Sequence, residues 1–299
     1  MARPITEWVD VDGSVSIVAR ESGEVWFYRR DGANEYGSNL FAKPMTGPGS
    51  LGTAVALLDA AIHLGFSGIK TKLAAPAPSI AGYVVALIGA YHTSVDTPRN
   101  LLRAARRFEQ LGRPEVTAYL EERAREETGH DRLALKDLKA LGFPAERLVA
   151  NYIPEGLKPL CKRFDELCAD DYPIGSIGYS YCLERIAALK DETDIATVKA
   201  ICPDGVDATR FLRSHSGLGS EAAHVQETIE FVASLPADDR IKVVQETYRS
   251  AVIMAEGYNR ELLRPEAEMI ATLEQAAGEK LNFDLRPAAP RPADARPAA

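Results

Sequence analysis

Residues 115–141 are the stretch that most constrains how this chain folds. The segment reads EVTAYLEERAREETGHDRLALKDLKAL, has Gly129 as its only glycine and no proline, and is rich in residues of high helix propensity. Pro114 stands where a first helical residue would stand, and Gly142 follows the last one. These signals predict one long helix over residues 115–141.

Glu127 lies in the middle of the apolar face of this predicted helix. With a turn of about 100° per residue, four apolar side chains fall within about 20° of it: Val116, Leu120, Ala134 and Leu138. His130, three residues further on, lies beside it. A buried carboxylate is costly unless it is paired or metal-bound, and a Glu-x-x-His pair facing a helical core is typical of bundles that bind iron or manganese. The alternative is a carboxylate neutralised by Arg123 on the same face.

A second Glu-x-x-His pair occurs at Glu221 and His224. Four mostly apolar residues lie within about 40° of Glu221 on its predicted helix: Val225, Thr228, Val232 and Leu235. The whole chain has five histidines, and two of them follow a glutamate by three residues. This repetition indicates a shared role for the two pairs.

Two further side chains complete the predicted ligand set. Glu184 shares a helical face with small and apolar residues that leave room around its carboxylate; the alternative is a pair with Arg185 or a tyrosine hydroxyl. His92 ends an apolar segment that we expect to be a buried helix, so it is either a ligand or a core histidine bonded to a backbone carbonyl. Dinuclear carboxylate bundles combine single glutamates with Glu-x-x-His pairs, and such ligands suit Fe or Mn.

The composition argues against several classes of partner. A formal charge of −8 and a pI of about 5.3 disfavour nucleic acid and anionic membranes. The four cysteines have no C-x-x-C spacing and are expected to be reduced thiols: Cys161, Cys168, Cys182 and Cys202. The first residues do not resemble a signal peptide, and the longest apolar run, residues 83–91, is too short to span a bilayer. We therefore expect a cytoplasmic protein with no nucleic-acid or membrane partner.

The sequence predicts three parts. Residues 1–50 form an N-terminal extension in which residues 14–30 have the pattern of a β-hairpin, and residues 283–299 are a Pro/Ala-rich tail expected to be disordered. Residues 51–282 form a helical domain. Its helices are expected over about residues 52–64, 79–94, 98–111, 115–141, 155–170, 174–190, 207–214, 217–235 and 238–275, the last kinked or split at Pro265. A glycine-rich match, GPGSLG at residues 47–52, lacks the βαβ context of a nucleotide site.

Two segments resemble a known enzyme family. Residues 91–108, YHTSVDTPRNLLRAARRF, and residues 126–143, EETGHDRLALKDLKALGF, are similar to the haem-oxygenase-like iron-containing redox enzymes, a group of diiron oxidases and oxygenases. The likeness covers roughly residues 80–235 and is most specific in the E-x-x-H-D stretch. It implies an all-α, haem-oxygenase-like bundle of about seven helices around a non-haem diiron site. A ferritin-like four-helix bundle is the alternative fold, because the order of ligands fits it as well.

The resemblance also implies a site. Carried over residue by residue, the metal ligands would be His92, Glu127, His130, Glu184, Glu221 and His224, with the three glutamates as the catalytic residues. The implied cofactor is two Fe ions per chain, and Mn is compatible with the same ligands. The chain departs from the family at Gly217, where many members have His or Asp. His215 lies about 120° from Glu221 on the helical wheel, so binding of the second metal is in question.

The predicted function follows from this resemblance. It is that of an O2-dependent non-haem diiron oxidase or oxygenase acting on a small, often amino-acid-derived, metabolite in a biosynthetic pathway. Its partners are the substrate and O2, with an external reductant where the substrate supplies no electrons, and a homodimer is compatible with the sequence. The alternative is a metal-independent, thiaminase-like hydrolase or ligand-binding bundle, with Cys161, Cys168 or Cys182 as the candidate nucleophile.

Overall fold

The N-terminal residues form a small antiparallel sheet. The computed structural model describes residues 5–29, 41, 43–67, 77–219 and 221–285. Strands β1 (Thr6–Asp10), β2 (Val15–Arg20) and β3 (Val25–Arg29) lie in the order β1-β2-β3. The predicted hairpin, β2 with β3, is confirmed. The sequence pattern does not predict β1, because its two large apolar residues, Trp8 and Val9, are adjacent instead of alternating.

Most of the remaining described chain is helical, as predicted. The helices are α1 (Leu51–Ser67), α2 (Ile80–Ser94), α3 (Thr97–Gln110), α4 (Pro114–Glu126), α5 (Asp131–Ala140), α6 (Ala145–Asn151), α7 (Lys158–Ala169), α8 (Gly175–Ala187), α9 (Glu192–Ile201), α10 (Arg210–Ser214), α11 (Glu221–Ser234), α12 (Ala237–Leu262) and α13 (Glu266–Ala277). Pro265 separates α12 from α13, as predicted. The sequence misses α6, which is only about two turns long, and α9, which buries only Ile195. Within the described ranges, no helix is both long and apolar enough to cross a membrane.

The prediction of one long helix over residues 115–141 is wrong. The segment forms α4 and α5, separated by a turn in which Gly129 has φ +94°. Glycine adopts this left-handed conformation readily, whereas other residues are strained in it. The two halves pack against different helices, α4 against α3 and α5 against α2. The break therefore places Glu127 and His130 in a turn between two packed helices.

Helices α1, α8 and α12 form the centre of the bundle, with α12 packed against the other two. Gly178 permits the close approach of α8 to α12, because a Cβ atom there would lie 2.2 Å from the Val243 carbonyl oxygen. The Thr247 hydroxyl donates a hydrogen bond to the Gly178 carbonyl at 3.1 Å. These contacts fix the rotation of α8 about its axis, and therefore the direction in which Glu184 points.

A buried ion pair attaches the sheet to the bundle. Arg240 Nε donates to Glu7 Oε1 at 2.9 Å, and the Thr53 hydroxyl donates to the same carboxylate. All three side chains are buried. Since breaking a buried charge pair leaves an uncompensated charge, this network ties β1 to α1 and α12. The division of the chain at residue 50 stays a prediction.

Candidate metal centre

The turn between α4 and α5 holds two side chains of the predicted site. The Glu127 amide makes the last bond of α4, donating to the Arg123 carbonyl at 3.0 Å, and His130 is the residue before α5. His130 Nδ1 lies 3.0 Å from Glu127 Oε2. Burial opposes ionisation of Glu127, but the hydrogen bond and charge of His130 hold its pKa below the usual value. Glu127 is therefore a carboxylate at neutral pH, the form that binds a metal.

His215 joins these two residues, although the sequence does not predict it. Single ligand atoms of Glu127, His130 and His215 all lie within 4.8 Å of one another. The His215 ring stacks on Phe211 with centroids 4.1 Å apart, and its Nδ1 lies 3.2 Å from the Phe211 carbonyl oxygen. Burial lowers the pKa of His215 to about 4, which keeps the imidazole neutral. The prediction misses His215 because it extends the helix of Glu221 back to residue 217, whereas α11 begins at Glu221.

A second group of ligand atoms shares Glu127. Glu127, Glu184 of α8 and His224 of α11 each contribute one ligand atom, and these atoms lie within 4.8 Å of one another. His224 is buried, and burial lowers its pKa. Burial also raises the pKa of Glu184 to about 7, against the opposing charge of Arg123. Three predicted ligands, His130, Glu184 and His224, are thus brought together around a fourth, the Glu127 carboxylate.

Arg123 holds one side of this second group. Its Nη2 donates to Glu184 Oε1 at 3.0 Å, and its Nη1 donates to Glu126 Oε2 at 2.9 Å. The Arg123 residue is 4% exposed. The other carboxylate oxygen of Glu184, Oε2, is buried and has no hydrogen-bond partner among the described residues. Glu184 is therefore oriented through one oxygen while the second is left for a ligand.

The alternative pairings that the sequence offered for these acids are not the ones formed. Arg123 makes its hydrogen bonds to Glu126, Glu184 and Glu227 instead of Glu127. Arg185 makes its hydrogen bonds to Asp59 instead of Glu184. The partner of each acid depends on how α8 rotates against its neighbours.

The structure does not bring His92 into either group. His92 Nε2 lies 2.9 Å from the Tyr152 carbonyl oxygen, which is the contact expected of a core histidine. It lines a separate cavity with Cys161. The physical reason is the rotation of α2, which turns His92 towards the segment after α6 instead of towards α4. Glu221, the remaining predicted ligand, begins α11, and its side chain lies outside the described part of the chain.

A cavity of about 440 Å³ opens directly beside the two groups. Glu127, Glu184 and His215 lie in its wall. Most of the other lining side chains are apolar, among them Leu101, Leu160 and Phe164. A concave, mainly apolar cavity with a few polar groups at one place is the usual form of a small-molecule site. We call it the first cavity.

The donor set fits a metal. The described ligands are imidazole nitrogens and carboxylate oxygens, a combination that suits Fe and Mn. Glu184 Oε2 is a buried oxygen without a partner among the described residues, which is costly unless something binds it. Glu127 belongs to both groups, so the two groups share one carboxylate. The described residues therefore fit a metal, and they include His215, which was not predicted as a ligand, but not His92.

Comparison with known proteins identifies the fold. No family model and no curated protein matches the chain. A crystal structure of a domain of unknown function with a haem-oxygenase-like fold, from Shewanella denitrificans, is similar over 77% of this chain and 95% of that chain, with 20% identity and a TM-score of 0.53. A TenA homologue from Pseudomonas syringae pv. tomato is similar over 72% of this chain and 97% of that chain, with 12% identity and a TM-score of 0.49. The likeness to the Shewanella denitrificans structure shows that the chain has the predicted haem-oxygenase-like fold, in place of the ferritin-like alternative.

Proposed function

We propose that this protein is a non-haem iron oxidase or oxygenase that uses O2 to oxidise a small molecule held in the first cavity. The observation that carries the proposal is the position of Glu127. It belongs to both groups of potential ligand atoms, and it stands at the wall of a mainly apolar cavity. A partly buried cluster of carboxylates and imidazoles beside a cavity is the usual form of a metal-dependent active site.

Two sets of residues would hold the metal. Glu127, His130 and His215 form one set, and Glu127, Glu184 and His224 form the other. Two Fe ions per chain, with Mn as an alternative, fit these donors. Bound iron would supply the activation of O2, with electrons taken from the substrate or from an external reductant.

The protein itself would position the ligands and exclude water. Arg123 holds Glu184 through Oε1, which leaves Oε2 for the metal. Phe211 fixes the plane of the His215 ring by stacking on it. The apolar side chains Leu160 and Phe164 line the cavity and reduce its hydration, which strengthens electrostatic interactions inside it.

Iron content tests the proposal most directly. We expect about two Fe per chain after reconstitution with Fe(II) under argon. Glu127→Ala should abolish binding at both sets, because the two share this carboxylate. The matched control is Glu122→Ala on the same helix, where the exposed carboxylate pairs with Arg125. A Glu127→Ala protein with normal iron content would show that Glu127 is a structural acid.

The metal-independent alternative has less support from the structure. A thiaminase-like hydrolase needs a nucleophile, and burial favours the neutral form of the candidate thiols. Burial raises the pKa of Cys161 to about 11 and that of Cys168 to about 12. The Cys161 thiol donates to the His92 backbone carbonyl at 3.6 Å. A thiol held in its neutral form by its surroundings is a poor nucleophile.

A further inference from the structure

Helix α10, which directly precedes His215, has little apolar surface to hold it in place. It consists of five residues, Arg210–Ser214, and none of them is fully buried. A helix of this length is unstable in isolation, and most helices in proteins are stabilised by packing an apolar face on the core. Polar contacts between α10 and the rest of the bundle therefore matter for the position of His215.

Asp137 of α5 makes two such contacts. Its Oδ2 accepts a hydrogen bond from the Phe211 backbone amide at 2.9 Å, and its Oδ1 accepts one from Arg210 Nη1 at 3.0 Å. Asp137 is completely buried. The Phe211 amide lies in the first turn of α10, where backbone N–H groups have no partner within the helix and favour an anion. Asp137 thus binds α10 with both oxygens of a carboxylate.

Phe211 in turn makes three contacts with His215. The two rings stack with centroids 4.1 Å apart, and the His215 amide donates to the Phe211 carbonyl at 3.0 Å. His215 Nδ1 lies 3.2 Å from the same carbonyl oxygen. Because a carbonyl oxygen only accepts, this contact requires the ring proton on Nδ1 and puts the lone pair of the neutral ring on Nε2. Metal-bound histidines usually have this arrangement.

Asp137 also connects His215 to the helix that positions His130. His130 is the residue before α5, and Asp137 follows it by seven residues, about 10 Å along the helix axis. The rings of His130 and His215 have centroids 4.5 Å apart and are nearly perpendicular. Helix α5 therefore places both imidazoles of the group formed by Glu127, His130 and His215. It places His130 directly and His215 through Asp137 and Phe211.

Two neighbouring contacts do not replace the bond from Asp137 to the Phe211 amide. The Tyr83 hydroxyl donates to the Ala208 carbonyl at 2.6 Å, but Ala208 lies before α10. The Arg210 side chain is 40% exposed and also donates to the Asp207 carbonyl. Arg210 therefore serves mainly to neutralise Asp137, whereas the amide bond holds the helix itself.

We propose that Asp137 is a positioning residue, which keeps the His215 ring beside Glu127 and His130 by holding the Phe211 amide. The proposal rests on the proposed function only where it calls this group a metal centre. The position of the His215 ring can be measured without a metal, so the two can fail separately.

The contact between the two imidazole rings tests the placement in the metal-free, full-length protein. Asp137→Asn keeps the shape of the side chain but replaces one acceptor by an NH2 group that faces a donor. With 13C-labelled histidine, we expect a nuclear Overhauser cross-peak between the His130 and His215 rings in the unsubstituted protein and its loss in Asp137→Asn. An undiminished cross-peak in the variant, or none in the unsubstituted protein, would overturn the proposal.

The matched control is Asp239→Asn at the start of α12. Asp239 is also buried, and its two oxygens accept from Arg113 Nη1 at 3.0 Å and from the Tyr172 hydroxyl at 2.8 Å. Arg113 precedes α4 and Glu127 follows it, so this network lies about 20 Å from the ligands. Asp239→Asn should lower the melting temperature about as much as Asp137→Asn but keep the ring contact. Loss of the contact in both variants would overturn the proposal.

Iron affinity in two backgrounds tests whether Asp137 acts through His215. Asp137→Asn alone should weaken Fe(II) binding by about tenfold, as substitutions behind a metal ligand typically do. In a protein that already carries His215→Ala it should have little further effect, because the residue through which it acts is absent. An equal fall in both backgrounds would show that Asp137 supports the fold in general, and would overturn the proposal.

These measurements separate the proposal from the proposed function. An unsubstituted protein that binds no iron would overturn the proposed function, and the ring contact would still decide the role of Asp137. Iron binding with an unchanged ring contact in Asp137→Asn would do the reverse. If Asp137→Asn does not fold, Asp137→Ala gives the same test, because it removes both acceptors without placing an NH2 group against a donor. A ring contact retained in Asp137→Ala would overturn the proposal.

Discussion

Arg123 Nη2 donates to Glu184 Oε1 at 3.0 Å, across 61 residues of sequence, and leaves Glu184 Oε2 buried without a partner among the described residues. The guanidinium is surrounded by three acids, since Glu126 and Glu227 also lie within 3.4 Å of it. This arrangement neutralises part of a strongly acidic cluster and holds Glu184 through one of its two carboxylate oxygens.

Removing this cation should destabilise the metal-free protein. Arg123→Gln leaves Glu126, Glu184 and Glu227 close together without a counter-charge, and breaking a buried pair in this way costs about 3–5 kcal/mol. The free energy of unfolding in urea measures the effect. Arg125→Gln, on the same helix but exposed, should change stability little. Equal stability of the two variants would contradict the role given to Arg123.

His215 and His92 should differ in their effect on metal binding. His215→Ala removes a nitrogen from the first group and is expected to lower iron affinity by about tenfold or more. His92→Ala removes a histidine bonded to the Tyr152 carbonyl and should cost about 1–3 kcal/mol of stability with iron affinity unchanged. Iron titration and thermal unfolding of both variants give the comparison. A loss of iron affinity in His92→Ala but not in His215→Ala would show that His92 is the ligand instead of His215.

Gly129 should matter to both stability and metal affinity. Gly129→Ala forces a side chain into φ +94° and should destabilise the protein by more than about 1 kcal/mol. Because the same turn holds Glu127 and His130, iron affinity should fall as well. Gly23→Ala places similar strain in the turn between β2 and β3, at φ +88°, and should leave iron affinity unchanged. A lower iron affinity in both variants would show that the loss follows from destabilisation of the whole fold, not from the Gly129 turn.

The thiols should react slowly at mildly alkaline pH. Burial raises the pKa of Cys161 to about 11 and that of Cys168 to about 12, so both remain protonated at pH 8 and reactivity should increase only as the pH rises towards these values. Iodoacetamide labelling of native protein, followed residue by residue by mass spectrometry, measures this. Rapid labelling of Cys161 below pH 8 would favour the hydrolase alternative.

Local patterns in the sequence were sufficient for most of the secondary structure and for one contact of the site. The β2–β3 hairpin, most of the helices and the separation at Pro265 were predictable because propensity, turn residues and apolar periodicity act over a few residues, whereas the haem-oxygenase-like fold was implied by the family resemblance. The Glu-x-x-His spacing placed Glu127 beside His130 for the same reason, even though the helix around them is interrupted at Gly129.

The tertiary structure decided which distant side chains meet. His215 reaches Glu127 through the path of the chain between α9 and α11, and Arg123 reaches Glu184 through the packing of α4 against α8. The orientation of α2 separates His92 from the cluster. The apolar periodicity of a helix identifies its buried face, but the neighbour that each residue on this face contacts depends on the rotation and crossing of packed helices. The rotation and crossing angle of each helix are set by side-chain packing over the whole core, so they cannot be derived from a single segment of sequence.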